Sequence, residues 1–124
     1  MPEKTLDRML ERYPSEVGRL AREARAFILE IVPDVQETAD GSVPVVGYGY
    51  GTGYKGMVCT LILSKSGVKL GVSYGATLPD PKHLLEGSGK VHRYVPLRTA
   101  AGLRQPGLAT LLRAARQAAR ARLQ

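Results

Sequence analysis

Met57-Val-Cys-Thr-Leu-Ile-Leu-Ser64, then Lys65-Ser-Gly67, then Val68-Lys-Leu-Gly-Val-Ser-Tyr74: this stretch decides the fold. The first segment is almost wholly apolar, the pattern of a central strand covered on both faces. In the second, Val68, Leu70, Val72 and Tyr74 alternate with Lys69, Gly71 and Ser73, the pattern of a strand with one wet face. Ser66-Gly67 between them is a turn signal, so the pair reads as an antiparallel hairpin. Working outward, the period of 2 predicts further strands near 35–39, 43–50 and 90–97. Asp40-Gly41 and a glycine-rich turn punctuate them.

Both ends of the chain carry the helical period instead. Leu6, Met9, Leu10 and Tyr13 fall at i, i+3, i+4 and i+7, with Thr5 placed to cap, and Pro14 breaks the segment. Ser15 is expected to cap a second helix that buries Val17, Leu20, Ala21, Ala24, Phe27, Ile28 and Ile31 before Pro33 stops it. After Pro106-Gly107, a last helix places Leu108, Leu111, Leu112, Ala115 and Ala119 on one face and Arg113, Arg116 and Arg120 on the other. The expected fold is α+β: an antiparallel sheet of about five strands packed by N-terminal and C-terminal helices. The 124 residues read as a single domain, 1–124. A chain of this size buries roughly two-thirds of its unfolded surface, enough to hold together without staples.

Cys59 is the only cysteine, so no internal disulfide framework exists. No signal peptide is expected behind Met1-Pro-Glu-Lys4, and the longest apolar run, Met57–Leu63, is too short to cross a bilayer. A cytoplasmic protein is the simple expectation. The net charge of +7 is unevenly spread: residues 1–40 hold six basic and nine acidic groups, residues 41–124 twelve and two. The second half therefore suits an anionic partner, or presents a solvated basic face. The face from Arg104 to Arg122 could associate with nucleic acid, but without any recognition motif such contact is expected to be non-specific and salt-sensitive.

Several motifs invite chemistry. Gly51, Gly53 and Gly56 match the spacing of a phosphate-binding glycine loop, but the residues after Gly56 are strand-like, so no helix N-terminus meets a phosphate. A hairpin with a glycine bulge is the better reading, with Tyr48, Tyr50 and Tyr54 as exposed aromatics that could stack on a ligand. Asp80, His83 and Glu86 recur every third residue, a weak metal pattern suited to iron or manganese. Asp80-Pro81 more simply starts a short helix, with Asp80 as N-cap. Cys59 lies in an apolar run and so is inert, and neither His83 nor His92 has a nucleophile beside it. No enzyme activity and no cofactor are expected.

The segment Leu85-Glu-Gly-Ser-Gly-Lys-Val-His-Arg93 is richer. Gly87 and Gly89 free the backbone to aim N–H groups at one point, and Lys90 adds a point charge. Alternation puts Arg93 on the side of Val91, Val95 and Leu97, where an unpaired charge is costly. Two readings stand: Arg93 pairs with Asp80 or Glu86 and locks the loop, or it holds a carboxylate or phosphate of a ligand. The candidate ligand-binding residues are Asp80, Glu86, Gly87, Gly89, Lys90 and Arg93, and the candidate partner is an anionic small molecule or a protein.

Gly75, Ala76, Leu78, Asp80, Pro81, Leu84, Leu85, Glu86, Gly87, Gly89, Lys90, Arg93 and Val95 together resemble the characteristic stretch of the YdhG-like family, small bacterial domains mostly of unknown function. The likeness extends more loosely to Leu111, Leu112 and Ala115, and departs at Tyr94, commonly His, and at His83, often Gly. It implies a frataxin-like α/β sandwich, and with it an alternative function as an intracellular iron chaperone. Frataxin-type iron binding uses clustered carboxylates. Here Glu16, Glu23 and Glu30 form one helical stripe, with Asp7, Glu11, Glu37 and Asp40 near in sequence. Arg19 between Glu16 and Glu23 points to salt-bridge lacing instead, and a pI near 9.9 weighs against an iron-binding acidic surface.

Overall fold

The computed structural model describes residues 2–39, 42–51 and 53–124. Two helices, α1 (Pro2–Leu10) and α2 (Ser15–Ile31), lead into five strands: β1 (Gln36–Thr38), β2 (Val45–Gly49), β3 (Met57–Ser64), β4 (Gly67–Val72) and β5 (Arg93–Leu97). Helix α3 (Leu108–Arg122) comes after a short turn of 3₁₀ helix at Ala100–Arg104. The strands run antiparallel in the order β1-β2-β3-β4-β5, with every neighbour in sequence a neighbour in space. The α+β class and the antiparallel sheet read from the sequence are therefore what the chain forms. No helix among the described residues is long and apolar enough to cross a membrane.

Helices α2 and α3 lie on one face of this sheet. Val46, Tyr48, Cys59, Leu61, Leu63, Val68, Leu70, Val72, Val95 and Leu97 point to them and are buried. They meet Val17, Leu20, Ala21, Ala24 and Ile28 of α2, and Leu108, Leu111, Leu112, Ala115 and Ala119 of α3. No helix among the described residues covers the second face. Met57–Leu63 thus departs from expectation: β3 is central, but only one of its faces is covered. Its apolar content is accommodated because Thr60 and Ile62 lean onto Gly71 of β4, which has no side chain to resist them. A Cβ at Gly71 would sit 2.3 Å from Thr60 Oγ1 and 3.3 Å from Ile62 Cδ1.

The helix starts also differ from the reading of the sequence. Thr5 lies inside α1, and Ser15 is the first residue of α2, with Pro14 at the cap position and no side-chain cap bond. Pro14 fits there because its extended backbone and fixed φ suit a helix entrance. Strands β1, β2 and β5 are shorter than expected, β4 ends at Val72 and not at Tyr74, whose φ of 56° is left-handed, and Lys90 and Val91 precede β5. The Asp40-Gly41 turn lies outside the described residues.

Charged groups at the edge of the helical layer are consumed in pairs. Arg22 reaches Asp7, and Arg25 Nε donates to Glu37 at 2.8 Å. The same Glu37 oxygen accepts from the hydroxyl of Tyr48 at 2.7 Å. Burial, then this bond to Glu37, pushes the Tyr48 phenol far above its ordinary pKa. Arg19, by contrast, makes no ion pair with Glu16 or Glu23 among the described residues. The anticipated lacing is replaced by bonds that leave the helix for α1 and β1. Asp34 accepts two bonds from Arg116, at 3.0 and 2.7 Å, one from Arg120 at 3.2 Å and one from Tyr50 at 2.9 Å. The Arg116 bonds dominate in holding the Asp34 carboxyl well below the usual range.

Both networks can be tested by single substitutions. Tyr48→Phe should cost about 1 to 2 kcal/mol in urea unfolding, because it removes a donor from a nearly buried carboxylate; an unchanged midpoint would show that Arg25 alone satisfies Glu37. For Asp34, a depressed carboxyl contributes stability above its unfolded value of 3.8 that is lost as pH falls through the folded one. Asp34→Asn should therefore lower the melting temperature at neutral pH, with the gap to wild type narrowing only below about pH 4. A gap that is flat down to pH 2 would contradict this.

Candidate functional site

The uncovered face of the sheet is shaped by what its strands omit. Antiparallel register aligns Thr38, Gly47, Thr60, Gly71 and Tyr94 in one row across all five strands. Small residues at these places make a shallow trough, with Thr60 and Ile62 settled over Gly71 and Met57 over Gly47. Ile62 and Lys69 stand in the next row on one side. On the other side stand Met57, Tyr54 and His92. Met57 is there because β3 carries a bulge: the register shifts between Tyr48 and Gly49, with Val58 as the extra residue. Val58 turns into the core, and Met57 turns out over Gly47, its methyl 3.2 Å from where a Cβ would be.

The end of the trough at β4 and β5 is a hollow of about 270 Å³ lined by Tyr54, Met57, Thr60, Ile62, Gly71, Val72, Ser73, His92, Arg93 and Tyr94. Aromatic groups build its wall. Tyr54 is 73% exposed at the hairpin tip, and its ring lies 6.0 Å from that of His92. Tyr74 meets the other side of His92 edge-on at 5.3 Å. The Tyr74 N–H donates to His92 Nδ1 at 3.0 Å, which puts the proton of the neutral imidazole on Nε2. Arg122 of α3 fixes the assembly from behind. It donates to the carbonyls of Lys55 at 2.9 Å and Met57 at 3.1 Å, with its guanidinium 3.8 Å from the Tyr74 ring centre. Lys69 Nζ lies 4.5 Å from the centre of the Tyr94 ring.

Residues 75–92 form the outer bank. They return to β5 through paired bonds between Glu86 and Tyr94, at 2.7 and 3.1 Å, and through Ala76 N–H to the Val91 carbonyl at 2.9 Å. The short helix expected from Asp80-Pro81 does not form. His83 takes a left-handed φ of 54°, which ends the turn at once. Asp80 still serves as an acceptor for backbone, taking Leu84 N–H at 2.8 Å and Leu85 N–H at 2.9 Å. Gly87 has a φ of 106°, and a Cβ there would lie 3.0 Å from the Tyr94 ring, so glycine is needed twice over.

The expected clasp between Arg93 and a carboxylate is also absent. Arg93 lies over Gly75, passes Gly87 and donates through Nε to the Gly89 carbonyl at 2.5 Å. Asp80 is occupied by two N–H groups, and Glu86 contributes through its backbone while its side chain is exposed. Neither acid forms an ion pair with Arg93 among the described residues, so the terminal guanidinium nitrogens have no carboxylate. The N–H groups of Gly87, Ser88 and Gly89 make no hydrogen bond among the described residues. Lys90 is exposed on the same loop.

Other candidates separate. Asp80, His83 and Glu86 do not converge, and no group of three metal-ligating side chains occurs among the described residues. Glu16, Glu23 and Glu30 all lie on α2 with outward-facing side chains, but successive members are about 10 Å apart along the helix, too far to share one ion. Asp7 and Glu37 are already paired, and Asp40 is outside the described residues. Arg116 and Arg120 converge on Asp34 and Arg122 is bound to backbone, while Arg104 and Arg113 of the basic face are exposed. Tyr48 is fully buried and Tyr50 half-buried, leaving Tyr54 as the exposed ring of the three. Cys59 is buried and its thiol pushed up by desolvation, as an inert core residue requires. Glycine in the middle of β2 and β4 is the signal in the sequence that could have located the trough.

Comparison with protein families, curated proteins and solved structures finds no match to this chain.

Removing the Asp80 carboxylate should loosen this bank selectively. Asp80→Ala is expected to cost about 1 to 2 kcal/mol and to accelerate amide exchange at Leu84 and Leu85 well before the β3 amides. Unchanged exchange there would mean the loop is held by the Glu86–Tyr94 bonds alone.

Proposed function

We propose that this protein is a non-catalytic binding module for a small anionic ligand, seated where the 75–93 loop meets the open face of the sheet. The observation that carries this reading is Arg93: half-buried at the rim of an apolar hollow and without a carboxylate partner among the described residues. A guanidinium in that setting is suited to a ligand carboxylate or phosphate. His92, with its Nε2 proton, Lys90 and the N–H groups of Gly87 and Gly89 add donors at the same end. The rings of Tyr54 and Tyr94 favour an anion with an apolar body over a bare inorganic one. Asp80 and Glu86 act here as supports for the loop, not as ligand contacts. On residues 75–95 we also read the chain as a YdhG-like domain working inside the cell, a reading its fold class accommodates.

The test uses benzoate and inorganic phosphate as probes. Benzoate should raise the melting temperature of wild type more than phosphate does, and should shift the amide signals of Gly71, His92 and Tyr94. Arg93→Gln, which keeps a donor for Gly89, should lose the effect of both anions, and Lys90→Ala should weaken it. Responses equal to wild type in both variants would place anion binding elsewhere and sink the proposal.

A further inference from the structure

The trough does not end at the hollow beside β5. It continues over Gly47 to the edge of β1, where a second hollow of about 400 Å³ is lined by Thr38, Ala39, Val43, Val45, Gly47, Tyr54, Met57 and Thr60. Tyr54, Met57 and Thr60 line both hollows, so the two adjoin along the trough. From β1 to β5 it crosses four strand spacings, about 19 Å. Its two ends differ in character. The β5 end has Arg93 and His92 in its lining and Lys69 over the Tyr94 ring. Among the described residues the β1 end has no charged side chain in its lining, and Val43, exposed by 52%, and half-buried Val45 stand at its margin.

We infer that the ligand is an anionic amphiphile, a carboxylate with an unbranched hydrocarbon tail. Its head lies at Arg93, and its tail runs over Gly71, Thr60 and Gly47 toward Val43 and Val45. This rests on the reading of Arg93 given above and adds the tail. The shape of the floor argues for a chain rather than a ring system. The row of small residues Thr38, Gly47, Thr60 and Gly71 is one residue wide, and the side chain lying over Gly47 is Met57, an adaptable thioether that a flexible tail can turn aside. The charge asymmetry sets the direction: a tail at the β5 end would strip water from Arg93, and a carboxylate at the β1 end would find no cation among the described residues. The occupant is the free monomer. The trough is concave and bounded by Tyr54 and Ile62, whereas a bilayer surface would need a convex apolar face.

The experiment is a chain-length series of monomeric carboxylates, from butyrate to laurate, held below micellar concentration and tracked by amide chemical shifts and calorimetry. Affinity should rise with each added methylene, by up to about fourfold, the transfer value for a fully buried CH₂, through laurate, whose tail reaches β2. Laurate, long enough to reach β2, should shift Val45 and Gly47 as well as Tyr94, while butyrate shifts only the β5 end. Val43→Ser combined with Val45→Thr, both at exposed or half-exposed positions, should weaken laurate about tenfold and leave benzoate unchanged. Benzoate binding with no gain along the series would overturn the amphiphile while leaving the anion site standing. Loss of both probes would remove the two together. Laurate shifts confined to the helical layer, or co-sedimentation with phosphatidylglycerol vesicles as strong as laurate binding, would also overturn it.

Discussion

A single extra residue in β3 governs the open face. Without the bulge at Val58, strict alternation would send Met57 into the core and Val58 outward. With it, the inward pairing of Tyr48, Cys59 and Val72 is preserved while Met57 is delivered to the wall of the trough. The hairpin beyond the bulge then swings Tyr54 over the same face, and Arg122 can reach the carbonyls of Lys55 and Met57. Three elements distant in sequence, the 50–57 turn, the 74–92 loop and the end of α3, thus share one anchoring point at a guanidinium. A bulge is often the means by which a strand re-aims a side chain without losing its core register.

Legibility in the sequence tracks the strength of the physical signal. The two strands flanking Ser66-Gly67 and the apolar face of α3 are plain, because many residues repeat one period and each repetition is a separate constraint. The region from Asp80 to Arg93 stands out as important, yet its geometry departs from the local pattern at two places. The turn after Pro81 looks helical because Asp and Pro at those positions serve a helix start equally well. Nothing local announces that His83 adopts a left-handed backbone. The expected pairing of Arg93 assumes that a charge on the inward phase must find an acid. At the end of a strand the side chain can instead run outward along two glycines to a carbonyl.

The trough itself is almost invisible in the linear chain. Gly47 and Gly71 are far apart in sequence, and only register places both beside Thr60. The cluster of Glu16, Glu23 and Glu30 shows the opposite failure: a stripe conspicuous in sequence whose members the helix keeps apart. Recurrence along one element says which face a residue occupies, whereas a site needs convergence among several elements. Convergence is a property of pairing and packing, and local patterns do not encode it.

The bonds between Glu86 and Tyr94 have a bearing on how this sheet can meet other molecules. They occupy backbone groups on the outer side of β5, and Pro96 in the same strand has no N–H to offer. At the opposite margin β1 runs for only three residues. Among the described residues neither border presents a long ladder of unpaired peptide groups, the feature that lets a foreign strand zip on and seed aggregates. Lateral growth of the sheet is discouraged at both borders, and approach from above, across the pleats, is the route left to a visitor.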